Sequence, residues 1–227
     1  LLPALRGIRG REVATQALSS TEFRDWVAAR VGDQEFPGIS GFGLVQRFQP
    51  PGAPAQYVVT SIEPLNPNRS TLGVDWATHP VARAAAERAM QSGRPALSAG
   101  MVVEREGEKR AEALYFLPIY DSGKVPPTAQ QREQNLWGLS FAPVVLGDLL
   151  AHTVGLARGQ VDFQLFDGLE NAANPLLFDS VLSLADPVAQ KDMERRPQAL
   201  FSTERSILVS GQFFRLQVHT TGDFEHA

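Results

Sequence analysis

The chain has 227 residues, 43% hydrophobic and 20% charged, with a formal net charge of -4. That balance is globular rather than disordered, and its acidic sign lacks the basic footprint of a nucleic-acid binder. Cysteine is absent, which excludes disulfides, thiolate catalysis and cysteine-ligated metals. No stretch approaches the roughly 20 apolar residues that a membrane-spanning helix needs. The start, Leu1-Leu2-Pro3-Ala4-Leu5-Arg6, has no charged leader region. Both ends read as cuts made inside a longer protein.

The opening segment, residues 1–32, reads as a helix that bends near Gly7 and Gly10. Its strongest part starts at Ser19, with Glu22 at capping-box spacing. Phe23, Trp26, Val27 and Val31 recur on one face, and Gly32 is placed to end the helix. Pro37 and Gly38 then break helical character, and Ile39, Phe42, Leu44 and Val45 suit a strand. Pro50 to Pro54 is a loop, Tyr57 to Ile62 is a run of high β propensity, and Asn66-Pro67-Asn68 is a turn signal.

Thr78 is expected to cap a helix running to Ser92, with Pro80 in its first turn and Gly93 closing it. Strands around Leu97–Glu104 and Ala111–Ile119 form a hairpin about Gly107. The polar residues from Asp121 to Asn135 read as an exposed loop, and Leu136 to Phe141 as a strand. Pro143 sits where a helix should start, with Val144, Val145, Leu149 and Leu150 on one face. Later strands are expected at Val161–Phe166, Leu176–Asp179, Gln198–Thr203, Ser206–Ser210 and Phe213–Thr220.

Chemistry-bearing patterns are few. His79, His152, His219 and His226 are scattered without metal-ligand spacing, so no metal or cofactor is expected. Gly138-Leu139-Ser140-Phe141-Ala142 is a degraded nucleophile elbow lacking its last glycine. Asn68-Arg69-Ser70 matches a glycosylation acceptor, a triplet common by chance. Asp75 lies between Leu72-Gly73-Val74 and Trp76. It either caps the following helix or points into a cavity to meet a ligand donor.

Several segments together resemble the CHASE domain, the sensor module of plant cytokinin receptors and many bacterial membrane receptors. They are Phe36 to Gly43, Tyr57-Val58-Val59, Asn66 to Asp75, then Arg83, Ala89 and Gly93. Leu97-Ser98, Leu117-Pro118-Ile119-Tyr120 and Trp137 to Phe141 complete the set. No single piece is specific, but their order and spacing cover most of residues 1 to about 150.

The resemblance implies an α+β fold: an N-terminal stalk helix (1–32), then two PAS-like α/β subdomains with antiparallel sheets. The membrane-distal ligand-binding subdomain would cover 33–150 and the membrane-proximal one 151–227. It implies a non-catalytic, periplasmic part of an inner-membrane receptor, a histidine kinase or a cyclic-nucleotide or diguanylate cyclase. Such a domain dimerises through the stalk, here at Leu1, Leu2, Leu5 and Ile8, and meets the membrane only through flanking spans.

By position Asp75 matches the aspartate that binds a purine ring in plant members, and Leu97 matches the main-chain contact after the helix. Phe116 falls on a strand that lines the pocket, and Leu139 and Ser140 stand where plant members have very small residues. Leu139 narrows the room for a flat adenine, and Trp76 also departs from the pattern. The expected ligand is an unknown small molecule that donates a hydrogen bond to Asp75. The alternatives are an extracytoplasmic hydrolase using Ser140 and a ligand-free dimerisation or interaction module.

Overall fold

A computed structural model describes residues 5, 20–31, 36–105, 107–156, 160–169, 175–181, 199–221 and 224. The expected bends at Gly7 and Gly10, the Ser19 cap and the Gly32 stop lie outside the described residues. By its contacts the chain divides into two units, Leu1–Ser98 with Leu114–Val144, and Ala99–Ala113 with Val145–Ala227. The sequence boundaries at 32 and 150 follow chain order. They do not anticipate that the first helix groups with the first unit, or that residues 99–113 group with the second.

In the first unit, helix α1 (Ser20–Val31) carries Glu22 in its first turn, where a carboxylate suits the positive end of the helix. Phe23, Trp26 and Val27 share one face and are buried with Leu5, Phe42, Leu44, Leu117, Ile119 and Ala142. Trp26 meets the Phe42 ring edge-on at 5.8 Å. The expected seam at Leu5 is therefore corrected. Leu5 is fully buried in its own chain's core, which supplies about 1.5–3 kcal/mol without a partner.

Strand β1 (Phe42–Phe48) pairs antiparallel with β2 (Gln56–Glu63). The turn signal after β2 gives a short kinked segment, Leu65–Asn68, whose Asn66 is not helical, and then a 3-10 turn, Arg69–Thr71. Asn68 is fully buried, and its Nδ2 donates to the carbonyls of Ser40 at 2.9 Å and Pro64 at 3.0 Å. Its amide is thus committed to holding the loop, which removes it as a glycosylation acceptor.

A second 3-10 turn, Trp76–Thr78, precedes helix α2 (Pro80–Ser92). Thr78 does not cap α2. It closes the 3-10 turn, and its hydroxyl donates to the Asp75 carbonyl at 2.8 Å. His79 occupies the cap position without a side-chain bond, and Pro80 sits at the helix start, where its missing N–H has no intrahelical partner to lose. Gly93 ends α2 in the left-handed region (φ 69) and returns its N–H to the Ala89 carbonyl.

The expected long strand after α2 is broken into β3 (Ala96–Leu97) and β4 (Met101–Arg105), both paired with β5 (Glu108–Tyr120). At the break, the buried Ser98 Oγ accepts from Leu114 N at 2.8 Å. The polar stretch after β5 holds a helix that sequence reading passed over, α3 (Ala129–Gln134), capped by Thr128 Oγ1 accepting from Gln131 N. Strand β6 (Leu136–Val145) runs four residues beyond its expected end at Phe141. Pro143 lies inside it rather than starting a helix. Its carbonyl accepts from Ser40 N at 3.1 Å, and the β-branched Val144 and Val145 favour the extended form.

The strand order in this unit is β2-β1-β6-β5-β3. Alternation sends successive side chains to opposite faces, and the register Gly43↔Phe141, Leu44↔Ser140, Val45↔Leu139 sorts them. Leu44, Ser140 and Ala142 lie under α1. Val45, Leu139 and Phe141 lie on the other face, with Phe116 6.1 Å from Phe141. Helix α2 is tied to that second face by Tyr120 Oη donating to the Met90 carbonyl at 2.9 Å.

In the second unit, helix α4 (Leu146–Leu156) is followed by β7 (Val161–Asp167), β8 (Leu176–Asp179), β9 (Ser202–Val209) and β10 (Gln212–Thr220). The antiparallel order is β8-β7-β10-β9. Strand β9 is continuous where two short strands were expected, because a strand exposed along its whole length accommodates Glu204 and Arg205. Phe163, Leu165 and Phe214 are buried on one face, and Phe163 stacks on Phe178 at 5.4 Å. The register Arg215↔Phe166 and Gln217↔Gln164 puts those residues on the other.

Gly43 has no room for a side chain, since a Cβ there would lie 2.2 Å from the Phe141 ring and 2.7 Å from the Ser61 carbonyl oxygen. Gly43→Ala should cost about 1–3 kcal/mol in urea unfolding. Gly147→Ala, whose nearest neighbour would be 3.9 Å away, should leave stability unchanged or raise it by up to about 1 kcal/mol.

Candidate ligand site on the first sheet

The face of the first sheet that carries Leu139 and Phe141 presents aromatic groups to α2 and to the turn before it. Trp76 packs edge-on against Phe141 at 6.3 Å and His79 at 5.3 Å. Its indole Nε1–H is buried and has no hydrogen-bond partner among the described residues. Phe116, fully buried, extends the aromatic floor.

Asp75 stands half-buried at the border of this floor. It forms an isolated antiparallel bridge with Val58, so the backbone runs along the free edge of β2. Its Oδ1 accepts from Ala77 N at 2.9 Å and Tyr57 N at 2.8 Å. One oxygen thus caps the 3-10 turn and fastens it to β2. The Oδ2 accepts no hydrogen bond from a described residue. Of the two roles that the sequence left open, capping is what this carboxylate does, and one oxygen is left over.

Tyr57 lies across from Arg47, and its hydroxyl is 3.8 Å from the Met90 sulfur. Burial raises the Tyr57 phenol above its ordinary value of 10.0, and the Arg47 charge opposes that shift. The guanidinium of Arg47 reaches the Glu133 carbonyl at 3.3 Å and Gln49 Oε1 at 3.2 Å. This corner is a neutral phenol beside a cation whose terminal nitrogens are bonded.

The sequence-derived residues do not converge. Leu97 belongs to β3, four strand spacings from β2, roughly 19 Å along the sheet. A purine-sized molecule at Asp75 does not span that distance. The Leu97 carbonyl already accepts from Arg88 Nη2 at 2.8 Å. Its side chain also faces away from Phe116, because Ala96 is the residue paired with Phe116.

Ser140 is fully buried on the α1 side of β6, and its Oγ donates to the Leu117 carbonyl at 3.4 Å. Among the described residues it bonds to no imidazole or carboxylate of the kind that activates a nucleophile. Asp75, Phe116 and Leu139 remain on one side, joined by Trp76, Phe141 and Tyr57. Tyr57 was read only as part of a β run and Phe141 only as a motif residue. Register alone, which a single sequence does not supply, would have put them with Phe116.

An extracellular ligand-binding receptor from Desulfohalobium retbaense is similar in structure, with a TM-score of 0.60 and 10% identity. The match covers 96% of this chain and 36% of that one, so the chain spans about a third of its length. The ligand-binding domain of the Pseudomonas aeruginosa amino-acid chemoreceptor PctC, in complex with GABA, is similar at a TM-score of 0.54 and 13% identity, covering 97% of this chain and 89% of that one. The periplasmic sensory domain of the Campylobacter jejuni chemoreceptor Tlp1 is similar at 0.54 and 9% identity, covering 98% and 87%. These likenesses establish a shared α+β fold with antiparallel sheets. Among curated proteins none matches the sequence. The family match carries the assignment: the CHASE domain model covers residues 16–178, well over half of the sequence, and this chain belongs to the CHASE domain family.

Proposed function

We propose that this chain is the periplasmic sensing part of a bacterial inner-membrane receptor and binds a small molecule in its first unit without transforming it. The attached output would be a histidine kinase or a cyclic-nucleotide or diguanylate cyclase. Family membership and the fold shared with extracellular sensor domains support the reading. The observation that carries it is the buried Nε1–H of Trp76, without a partner among the described residues, next in sequence to Asp75, whose Oδ2 accepts no hydrogen bond from a described residue. A buried donor without a partner is costly, and a ligand that brings an acceptor to it recovers that cost.

The ligand this arrangement suits is small and partly flat, stacks on Phe116 and Phe141, donates to Asp75 and accepts from Trp76. Leu97 and Ser140 are left out of the proposed contact set for the geometric reasons above. Self-association through the N-terminal helix remains part of the proposal. It falls to Leu1, Leu2 and Ile8 and to the exposed face of α1, since Phe23, Trp26 and Val27 are taken up by the core.

The test begins with a thermal-shift screen of small metabolites, because a ligand that binds the folded state raises its melting temperature. Calorimetric titration of each hit into variants then separates binding from capping. Asp75→Asn keeps a side-chain carbonyl for the cap and loses the charge. It should hold ligand-free stability within about 0.5 kcal/mol while weakening a true ligand roughly ten- to a hundredfold. Asp75→Ala should lose the affinity and also about 1 kcal/mol of ligand-free stability. A hit whose affinity is the same in Asp75→Asn as in the parent chain would overturn the assignment of this residue.

Trp76→Phe keeps the packing and removes the N–H. Its ligand-free stability should stay the same or rise, since a buried unpaired donor is gone, and affinity should fall about tenfold. Unchanged affinity would place the ligand away from the indole. A screen with no hit at all would favour the ligand-free interaction module.

A further inference from the structure

The second unit holds a cation whose bonding is incomplete. Arg215, on β10, has a side chain only 14% exposed, and its guanidinium lies over the Phe166 ring at 4.6 Å. Its nearest carboxylate is Glu204, with Oε2 3.7 Å from Nη1, beyond hydrogen-bond reach. Its Nε–H is buried with no partner among the described residues. Among the described residues this guanidinium makes no hydrogen bond. Arg47 and Arg88 also have a buried Nε without a partner, but both anchor their terminal nitrogens on carbonyl oxygens at 3.3 and 2.8 Å.

A guanidinium whose Nε–H is buried and without a partner among the described residues suits a planar oxyanion, which it grips through two parallel bonds. We propose that the Arg215 face of the second sheet binds the carboxylate of a small apolar acid, at a site independent of the one in the first unit. The carboxylate takes the Nε edge of the fork, and the Phe166 ring keeps the other side of the guanidinium from water.

Neighbouring charges narrow the class. Glu204 accepts from Gln217 Nε2 at 2.8 Å, and buried Asp179 accepts from Gln164 Nε2 at 2.7 Å on the same face. The Glu204 carboxylate beside the guanidinium, with Asp179 further along the same face, repels a dianion more than a monoanion. A single carboxylate is therefore favoured over phosphate. Next to Arg215 on this face, Phe213 and its cross-strand partner Leu208 are 40% and 58% exposed. They offer a platform for a short branched tail.

The probe is isovalerate, titrated into the 15N-labelled 227-residue chain at fixed ionic strength while the arginine Nε–H resonances are followed. Inorganic phosphate is the second arm. The Arg215 resonance should shift saturably with isovalerate and that of Arg88 should not. By calorimetry, Arg215→Lys, which loses the two-pronged grip, should bind isovalerate at least tenfold more weakly, and Asp75→Ala should bind it as the parent chain does. Absence of a saturable Arg215 shift, or equal affinity in a folded Arg215→Lys, would sink the proposal. A response to phosphate but not to isovalerate would overturn the carboxylate assignment. Because the parent-chain titration reads Arg215 directly, a variant that fails to fold leaves the result decisive.

Discussion

The architecture of the first unit depends on β6 being buried on both faces. All but one residue of this strand is buried, and its alternation hands one set of side chains to α1 and the other to the aromatic floor. A slip of one residue against β1 would exchange the sets. Ser140 would then enter the aromatic face, and Phe141 would meet α1. Gly43 helps fix the pairing, because its hydrogen side chain is what lets the Phe141 ring lie across β1. The packing of Trp76 against Phe141 follows from that one alignment.

Much of this was legible in the sequence. Phe23, Trp26 and Val27 at helical spacing announced an amphipathic α1, and Gly93 announced the end of α2. The run from Tyr57 to Ile62 read correctly as a strand. What failed has a common cause. Pro143, Thr78 and Glu204-Arg205 were read by local preference, and each obeys a longer-range arrangement. Pro143 is held extended by a partner segment around Ile39 and Ser40, Thr78 is recruited into a turn that Asp75 caps, and the charged pair sits in a strand with solvent along its length. The α3 helix was different, since its Thr128 and Gln131 stood at capping-box spacing in plain view and were passed over for the prolines before them.

The geometry of the candidate site was only partly legible in the sequence. Asp75 stood out by its apolar flanks, and Phe116 by its strand. The separation of Leu97 from Asp75 follows from strand order, which places a short strand near in sequence at the far edge of the sheet. Ser140 was lost to the period of two along β6, where adjacent positions serve opposite faces. Asp75 itself combines two duties in one side chain. One oxygen holds the backbone of the turn and the other is open, so the charge offered outward is held in place by the cap behind it. If Asp75 recognises a ligand as proposed, this arrangement fixes that side chain without a separate supporting residue.

The chain passes between the two units three times, after Ser98, after Ala113 and after Val144. The second unit is consequently not a contiguous stretch of polypeptide, because the β4 strand and the start of β5 come from the middle of the first. A gene segment beginning after Val144 encodes an incomplete second unit, and one ending there encodes a first unit with a foreign hairpin inserted. Simple end-to-end exchange of exons or gene fragments at that point cannot transplant either half intact. The two units are therefore expected to be inherited as a pair, and new ligand preferences to arise by substitution within them rather than by swapping one for another.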